Sequence, residues 1–289
     1  MIKITKGIIP CAGLGTRLMP ITKAVPKQML PIIDRPCLDY IVDEMVQSGI
    51  TDILFIVSPD KECIKDYFSA DETLYNRLDT AGHTDITRGL RQIDTKAKYH
   101  FAVQKEARGS GDAVLLAEDF AGGEPFALAW GDDVTASDRE PVTSQLINIY
   151  ETYGKTVIGV QQRAVPEILG YGVINIEERI SYNLMRIKAV DEKPDGTILK
   201  SNYGTLGRYV VTPAIFAALK NIPMKNGEFL FTDALNILAK YEGVYALDFY
   251  GKRYDMGNKA GSVKAIIDFA LANNDIKEEI RMFLGNKYI

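Results

Sequence analysis

Glycines and cationic residues lie together near the start of the chain, in the segment GIIPCAGLGTRLMPITKAVPKQMLP. Gly13 and Gly15 let the main chain approach a ligand closely, because glycine has no Cβ and positive φ is open to it. Arg17, Lys23 and Lys27 place three positive charges in the same loop, which its prolines stiffen by fixing φ. A stiff, cationic loop of this kind suits the binding of a nucleoside triphosphate.

Acidic residues follow apolar segments that we predict to be strands. Asp132 and Asp133 follow PFALAWG, although Gly-Asp-Asp is also a common turn composition. Ligands collect at the carboxyl ends of parallel strands, and Mg²⁺ prefers oxygen ligands such as carboxylates. Asp255 offers another carboxylate in RYDMGNK, and Glu192-Lys193 follows the apolar segment RIKAV. Together with the cationic loop, these residues indicate phosphoryl or nucleotidyl transfer, which needs positioning, positive charge and Mg²⁺ rather than a protein nucleophile.

Other chemistries lack the residues that they need. A dinucleotide-binding loop needs a third glycine where Leu18 stands, so a nicotinamide dehydrogenase stays a distant alternative. The GKT triplet at 154–156 ends like a phosphate-binding P-loop, but Ile149 occupies the position of the first glycine. The two histidines, His83 and His100, lie in no HExxH motif and have no cysteine beside them. A histidine-based triad or a zinc hydrolase is therefore not indicated.

The composition limits the kind of partner. The chain of 289 residues carries 34 Lys and Arg against 38 Asp and Glu, a formal net charge of −4, so it has no broad basic face for nucleic acid. Cys11, Cys37 and Cys63 form no CxxC motif, and we expect them to be small buried hydrophobic residues. No apolar run approaches the length of a membrane span, so we expect no membrane partner and a cytoplasmic location.

Strand and helix patterns alternate along the first half of the chain. The apolar runs DILFIV, YHFAVQ, PFALAWG and KTVIGV predict strands, and the segments between them have helical spacing. This βαβ series predicts a mostly parallel sheet with right-handed crossovers. Between 69 and 98 the pattern weakens into a polar surface excursion, and from 169 to 209 short strands predict a partly antiparallel region. Thr212-Pro213 is typical of a helix N-cap with a first-turn proline, and helices complete the chain.

Motifs along most of the chain resemble those of the sugar-1-phosphate nucleotidyltransferase family. The longest is GLGTRLMPITKAVPKQMLPIIDRP, and the others follow it in the family's order. They are Gln104 with GSGDAV (109–114), GDD (131–133), GYGVI (170–174), EKP (192–194), GEFLFTDA (227–234) and YDMGNK (254–259). The ordered set is specific, although each short motif alone is not. The resemblance implies an α/β, Rossmann-like three-layer fold with a mixed, mostly parallel central sheet and a small antiparallel elaboration.

The resemblance also implies a reaction and the residues that carry it out. UTP and glucose 1-phosphate would give UDP-glucose and pyrophosphate, with Mg²⁺ held by Asp132 and Asp255. The implied catalytic residues are Arg17 and Lys27 at the triphosphate and Lys193 at the sugar phosphate. The substrate-binding positions that we expect are Ala12, Gly13, Gln104 and Gly109 around uracil, Gly172 and Glu192 at glucose hydroxyls, and Gly15, Gln28 and Asp133 beside the ligands.

Three departures from the family pattern leave the base open. Gln28 stands where members that use UTP usually carry glutamate, and glutamine there is similar to the thymidylyltransferase branch. Asp112 replaces a usual histidine, and FLF at 229–231 replaces a usual IQL. A glucose-1-phosphate thymidylyl- or cytidylyltransferase is therefore an alternative, as is a non-catalytic paralogue that binds nucleotide sugars without turnover.

We expect one nucleotidyltransferase domain over residues 1–289. Its nucleotide-binding half covers about 1–135, its sugar-binding half about 136–260, and C-terminal helices about 259–289. We also expect a homo-oligomer with no nucleic-acid partner.

Overall fold

The structure is a computed structural model that describes residues 3–196 and 198–288. Its strands are β1 (Lys6–Pro10), β2 (Pro31–Ile32), β3 (Arg35–Pro36), β4 (Asp52–Val57), β5 (Lys98–Val103), β6 (Phe126–Ala129), β7 (Asp133–Ala136), β8 (Val157–Gln162), β9 (Gly172–Arg179), β10 (Leu184–Glu192), β11 (Tyr203–Val211), β12 (Val244–Asp248) and β13 (Lys252–Asp255). Its α-helices are α1 (Cys37–Gln47), α2 (Glu62–Tyr67), α3 (Glu72–Thr80), α4 (Thr84–Thr95), α5 (Ser110–Leu115), α6 (Glu118–Ala121), α7 (Val142–Tyr153), α8 (Ala214–Asn221), α9 (Phe231–Tyr241), α10 (Lys259–Ala272) and α11 (Lys277–Tyr288).

One large sheet organises the described part of the chain. Its nine strands have the order β5-β4-β1-β6-β11-β8-β12-β10-β9. The first four are parallel neighbours, β11 is antiparallel to β6 and β8, and β10 is antiparallel to β12 and β9. All of these strands except β10 and β11 therefore run in one direction. The predicted mixed, mostly parallel sheet is confirmed, with its antiparallel strands in the region where short strands were expected.

Apolar side chains fill both faces of the large sheet. In β1, Ile8 packs on one face with residues of α5, α6, α8 and α9, whereas Ile9 packs on the other face with residues of α1, α2, α7 and α10. Successive side chains of a strand point to opposite faces, so each face builds its own core. Helices on both faces of the sheet give the three layers that the predicted fold class requires.

The polar excursion between 69 and 98 contains two helices, α3 and α4. Most of their side chains are exposed, so their apolar periodicity is weak. Polar contacts join them instead: Tyr75 Oη donates to Asp94 Oδ2 at 2.6 Å, and Arg91 pairs with Glu72 at 2.7 Å. The excursion is therefore on the surface, as predicted, but it is helical.

Two local predictions are wrong. The N-cap position of α8 is Pro213, one residue later than predicted, and Thr212 places its buried hydroxyl 3.2 Å from that of Thr156. A side chain held by the residue that precedes β8 is not free to cap the helix. Cys63 is exposed on α2, whereas Cys11 and Cys37 are buried as expected.

Candidate active site

A cleft of about 990 Å³ opens where β1, β5 and β6 end. These strands are parallel, and the carboxyl ends of parallel strands are where open α/β sheets bind ligands. Every residue that the sequence suggested for the catalytic, substrate-binding and metal groups lines this cleft. Lys23, the third cation of the N-terminal loop, does not line it. The fold therefore gathers residues from 12 to 255 around one space, while their individual roles stay predictions.

The glycine loop after β1 is held from behind by Lys61. The ammonium group of Lys61 donates to the carbonyl oxygens of Cys11 at 2.7 Å and Gly13 at 2.6 Å, and the side chain is almost fully buried. The C=O and N–H of a trans peptide point in opposite directions, so the N–H groups of Ala12 and Leu14 point away from Lys61. Ala12 and Leu14 line the cleft, which places these donors on the side of an incoming ligand.

The two cleft-lining cations of the loop are paired with carboxylates. Lys27 Nζ lies 2.5 Å from Asp132 Oδ2, and Arg17 Nη1 lies 3.4 Å from Asp255 Oδ2. Burial opposes charge on Lys27 and Asp132, but their attraction outweighs it, so the pKa of Lys27 is raised and that of Asp132 is lowered. The side chain of Arg17 is 61% exposed and is therefore accessible to an anion that enters the cleft.

The antiparallel pair of β7 and β13 sets two acidic residues side by side. Asp133 lies directly opposite Asp255 in the register of the two strands. Arg253 forms an ion pair with Asp133, lies 3.9 Å from Asp255, and donates to Tyr171 Oη at 2.7 Å. Burial raises the pKa of Asp133 to about 6, although Arg253 opposes this shift. Arg253 is thus the counter-charge that allows two carboxylates to share this end of the cleft.

Gly257 keeps a small space open in front of two of the carboxylates. A Cβ at this position would lie within 3 Å of Asp132 Oδ2, Asp255 Oδ1 and Arg17 Nη2. Within 3–196 and 198–288, no three or more His, Cys, Asp or Glu residues are grouped so that they could hold a metal ion. Two converging carboxylates nevertheless fit Mg²⁺, which keeps several waters and takes further ligands from substrate phosphates.

Gln104 and Gly109 lie at another part of the cleft. Gln104 follows β5, and its Nε2 donates to the carbonyl oxygen of Gly109 at 3.2 Å. Gly109 has a φ of 97°, and a Cβ there would lie 2.6 Å from the carbonyl oxygen of Phe229. Only glycine is compatible with both restrictions. This tight contact joins the 104–109 segment to the chain that leads into α9.

Glu192 is the last residue of β10, and Lys193 follows it. In the strand order, β10 lies near the edge of the sheet that is opposite to β5. Glu192 Oε2 accepts a hydrogen bond from Thr232 Oγ1 at 2.6 Å, and a Cβ at Gly172 would lie 2.9 Å from Thr205 Oγ1. Lys193 lies in the left-handed region with a φ of 43°, and its side chain is 68% exposed. Non-glycine residues in this region are uncommon and cluster at functional sites, where a fixed direction of the side chain is needed.

Gln28 is a buried residue that lacks a partner for one of its polar atoms. It is 1% exposed, and its Oε1 has no hydrogen-bond donor within the described ranges. An unsatisfied buried oxygen costs about 1–3 kcal/mol, so a donor on a ligand would be favourable here. Gln28 lines the cleft, where such a ligand can reach it.

Glu44 of α1 supports the acidic strands from below. Its carboxylate accepts from Arg208 of β11, with Nη2 at 2.7 Å and Nε at 3.0 Å, and from the hydroxyl of Thr135 on β7. Gly207, which precedes Arg208, packs so closely on Asp133 that a Cβ would overlap the carboxylate. This buried network therefore ties α1, β7 and β11 together directly beneath the cleft.

Lys61 and Arg253 are not among the residues that the sequence suggested. Lys61 acts on carbonyl oxygens 48 and 50 residues away, and no local pattern indicates such a contact. The sequence does contain an indication of Arg253, because it lies two residues before Asp255. Residues at that spacing in a strand lie on the same face of the sheet. Its pairing with Asp133, 120 residues away, depends on the β7–β13 register.

No helix in the described ranges combines the length and the apolar character that crossing a membrane requires.

Comparison with known proteins gives one consistent family. Residues 6–273 match the family model described as nucleotidyl transferase. The chain is 43% identical over 284 residues to UTP–glucose-1-phosphate uridylyltransferase 1 of Staphylococcus saprophyticus subsp. saprophyticus, with 98% of each chain covered. It is similar to a solved UDP-glucose pyrophosphorylase complexed with UDP-glucose, with a TM-score of 0.85, 35% identity, and coverage of 94% of this chain and 100% of that chain. It is also similar to a UTP-bound UGPase from Acinetobacter baumannii, with a TM-score of 0.91, 28% identity, and coverage of 98% and 99%.

Proposed function

This chain belongs to the nucleotidyl transferase family, and from that premise we propose that it transfers UMP from UTP to glucose 1-phosphate, giving UDP-glucose and pyrophosphate. The observation that carries the proposal is the convergence of Arg17, Lys27, Asp132 and Lys193 on one cleft. A relative 43% identical over nearly its whole length is named for this reaction. A paralogue that only bound nucleotide sugars would be free to lose some of these charged groups.

The reaction needs no protein nucleophile. A phosphate oxygen of the sugar phosphate attacks the α-phosphorus of UTP in line, and pyrophosphate leaves. Arg17 and Lys27 stabilise the charge that develops on the leaving pyrophosphate, and Lys193 orients the attacking phosphate. The second pKa of a phosphate monoester is about 6, so the nucleophile is already largely ionised at neutral pH. The protein therefore has to supply position and positive charge rather than a general base.

Asp132 and Asp255 are the residues that would hold Mg²⁺. The ion would supply neutralisation of phosphate charge beyond what the protein's own cations provide. Lys27, which is paired with Asp132, would add its own positive charge to that of the ion in neutralising the phosphates.

The test of the function is a panel of nucleotides and sugars. UTP, dTTP and CTP are each incubated with glucose 1-phosphate and with the 1-phosphates of its epimers, and pyrophosphate release is measured. We expect the highest kcat/KM with UTP and glucose 1-phosphate. Gln28, which stands where members that use UTP usually carry glutamate, keeps dTTP as the second candidate, and a clear preference for dTTP would replace the proposal.

Replacing Asp132 by asparagine tests the metal site. We expect the Mg²⁺ concentration for half-maximal activity to rise by about tenfold, because a neutral amide binds a hard cation more weakly than a carboxylate does. The measurement is a magnesium titration of the initial rate at saturating substrates. Asp138→Asn, which changes an exposed residue beyond β7, serves as the matched control. An unchanged titration in Asp132→Asn would move the metal away from this residue.

Replacing Lys61 by methionine tests the support of the glycine loop. We expect KM for the nucleotide to rise roughly tenfold with a smaller change in kcat, since two hydrogen bonds from a charged donor to the loop carbonyls are lost. Burial lowers the pKa of Lys61, and methionine retains most of its apolar stem without an ammonium group to desolvate. Lys65→Met, on the exposed face of α2, is the control. A nucleotide KM equal to that of this control would show that the loop holds its shape without Lys61.

Three further predictions accompany the proposed function. The protein is expected to act in the cytoplasm and to form a homo-oligomer. Residues 1–289 are expected to form one domain with a nucleotide-binding and a sugar-binding half.

A further inference from the structure

The side-chain amide of Gln104 is held in one orientation by two acceptors. Its Nε2 lies 2.9 Å from Asp112 Oδ2 and 3.2 Å from the carbonyl oxygen of Gly109. An ionised carboxylate and a backbone carbonyl can accept hydrogen bonds but cannot donate them. The terminal atom between them must therefore be the nitrogen of the amide, and both of its hydrogens are used.

Asp112 is itself fixed from its other side. Arg108 donates to Asp112 Oδ1, with Nε at 3.2 Å and Nη2 at 3.0 Å, so each carboxylate oxygen serves one partner. The guanidinium group lies 5.5 Å from the centre of the Phe229 ring, and the Phe229 N–H donates to the carbonyl oxygen of Arg108 at 2.8 Å. Arg108, Asp112 and Gln104 thus form a chain of polar contacts that starts at the protein surface and ends at the cleft.

The remaining polar atom of the amide is Gln104 Oε1, which can only accept a hydrogen bond. Gln104 lines the cleft, and its side-chain hydrogen bonds with Asp112 and Gly109 both use Nε2, so Oε1 is the atom of this amide that is left to accept from a ligand. Uracil and thymine carry N–H at N3 of the ring, whereas cytosine carries a lone pair there. Two acceptors facing each other repel, and a site built to accept a hydrogen bond rejects a ligand that cannot donate one.

We propose that Asp112 is a positioning residue that locks Gln104 with Oε1 toward N3 of the base, so that the cleft selects uracil and thymine against cytosine. This inference rests on the proposed function and deepens it, because it names the side chain that sets the direction of the base-reading amide. Asp112 does not line the cleft and acts through Gln104. Since uracil and thymine share the N3 edge, the lock separates UTP and dTTP from CTP but does not separate UTP from dTTP.

The test is Asp112→Asn, with kcat/KM measured for UTP, dTTP and CTP at saturating glucose 1-phosphate. Asparagine can donate to Gln104 Oε1, so only the carbonyl oxygen of Gly109, at the longer distance of 3.2 Å, still opposes the flipped orientation, in which the NH₂ of Gln104 meets the lone pair of cytosine. We expect the ratio of UTP to CTP to fall roughly tenfold, the effect of exchanging about one hydrogen bond. The ratio of UTP to dTTP should stay within about twofold of its original value. If turnover of CTP is too slow to follow, its inhibition constant against UTP gives the same ratio.

Controls separate selectivity from a general loss of structure. Asp119→Asn makes the same chemical change at an exposed residue of α6 and should leave both ratios unchanged. Arg108→Met frees Asp112 from its other partner at a half-exposed position, and it should move the UTP to CTP ratio in the same direction by a smaller factor.

If Asp112→Asn lowered kcat/KM by the same factor for UTP, dTTP and CTP, the role of Asp112 would be structural only, and the inference would be overturned. A UTP to CTP ratio unchanged in both Asp112→Asn and Arg108→Met would also overturn it, as would an unmodified protein that uses CTP as well as UTP. Failure of the proposed function is a different result, in which the unmodified protein releases no pyrophosphate with any nucleotide.

Discussion

Replacing Lys193 by alanine is expected to lower kcat/KM for glucose 1-phosphate by about a hundredfold or more, the usual effect of removing a group that stabilises charge at the reacting centre. Lys193 lines the cleft at the end of β10, and its left-handed backbone sets the direction of its side chain. The rate of pyrophosphate release, measured at several concentrations of glucose 1-phosphate, gives kcat/KM. Full activity of Lys193→Ala would remove this residue from the site.

The stability of the Lys193 variant should not change. The side chain is 68% exposed and its ammonium group is 3.9 Å from Glu192, so folding gains little from it. Unfolding of Lys193→Ala in urea should therefore match that of the unmodified protein. Lys188→Ala, also exposed on β10, is the matched control, and it should keep full activity because Lys188 does not line the cleft.

Replacing Glu44 by glutamine is expected to lower the free energy of unfolding by about 3–5 kcal/mol, because it leaves the guanidinium group of Arg208 buried without a counter-charge. Arg208 is 1% exposed and donates hydrogen bonds to both carboxylate oxygens of Glu44. The carboxylate of Glu44 also accepts a hydrogen bond from the hydroxyl of Thr135. Urea denaturation of the unmodified protein and of Glu44→Gln measures the difference in the free energy of unfolding. Glu62→Gln, which changes an exposed residue of α2, is the control and should unfold like the unmodified protein.

The same network predicts a dependence of stability on pH. Burial opposes ionisation of Glu44, but Arg208 outweighs it and holds the pKa of Glu44 below its ordinary 4.5. An acid whose pKa is lowered by folding stabilises the native state fully above its ordinary pKa and loses this contribution as the pH falls toward the folded pKa. The difference in stability between the unmodified protein and Glu44→Gln should therefore be constant above pH 4.5 and shrink below it. A difference that stayed constant down to pH 3 would contradict the network.

Apolar patterning predicted the strands that are buried on both faces. DILFIV is the observed β4, PFALAWG covers β6, and KTVIGV covers the start of β8. These segments carry their structural information locally, in continuous apolar runs. The helices α3 and α4 were not predicted, since contacts such as that of Tyr75 with Asp94 join them to each other rather than to a large apolar face.

The candidate site was predictable wherever a residue directly follows a strand. The glycine loop follows β1 and Asp132 follows β6, two parallel strands, so strand prediction alone brings them to the same end of the sheet. Glu192 closes β10, which runs the opposite way, so the same rule does not place it there. Arg253 and Lys61 act on partners 120 and about 50 residues away. Contacts at such distances depend on strand register and on the route of a loop, which a single sequence does not carry in any local pattern.

The register that sets Asp133 opposite Asp255 means that the free protein holds two like charges face to face. Like charges directly across a strand pair are destabilising, and burial adds a desolvation cost to the charge of Asp133 that Arg253 opposes but does not cancel. A cation that enters with the substrate would relieve the remainder, and a ligand that binds only the native state stabilises the whole fold. Supply of substrate and metal would then set how long a molecule of this protein survives unfolding and proteolysis, as well as how fast it works.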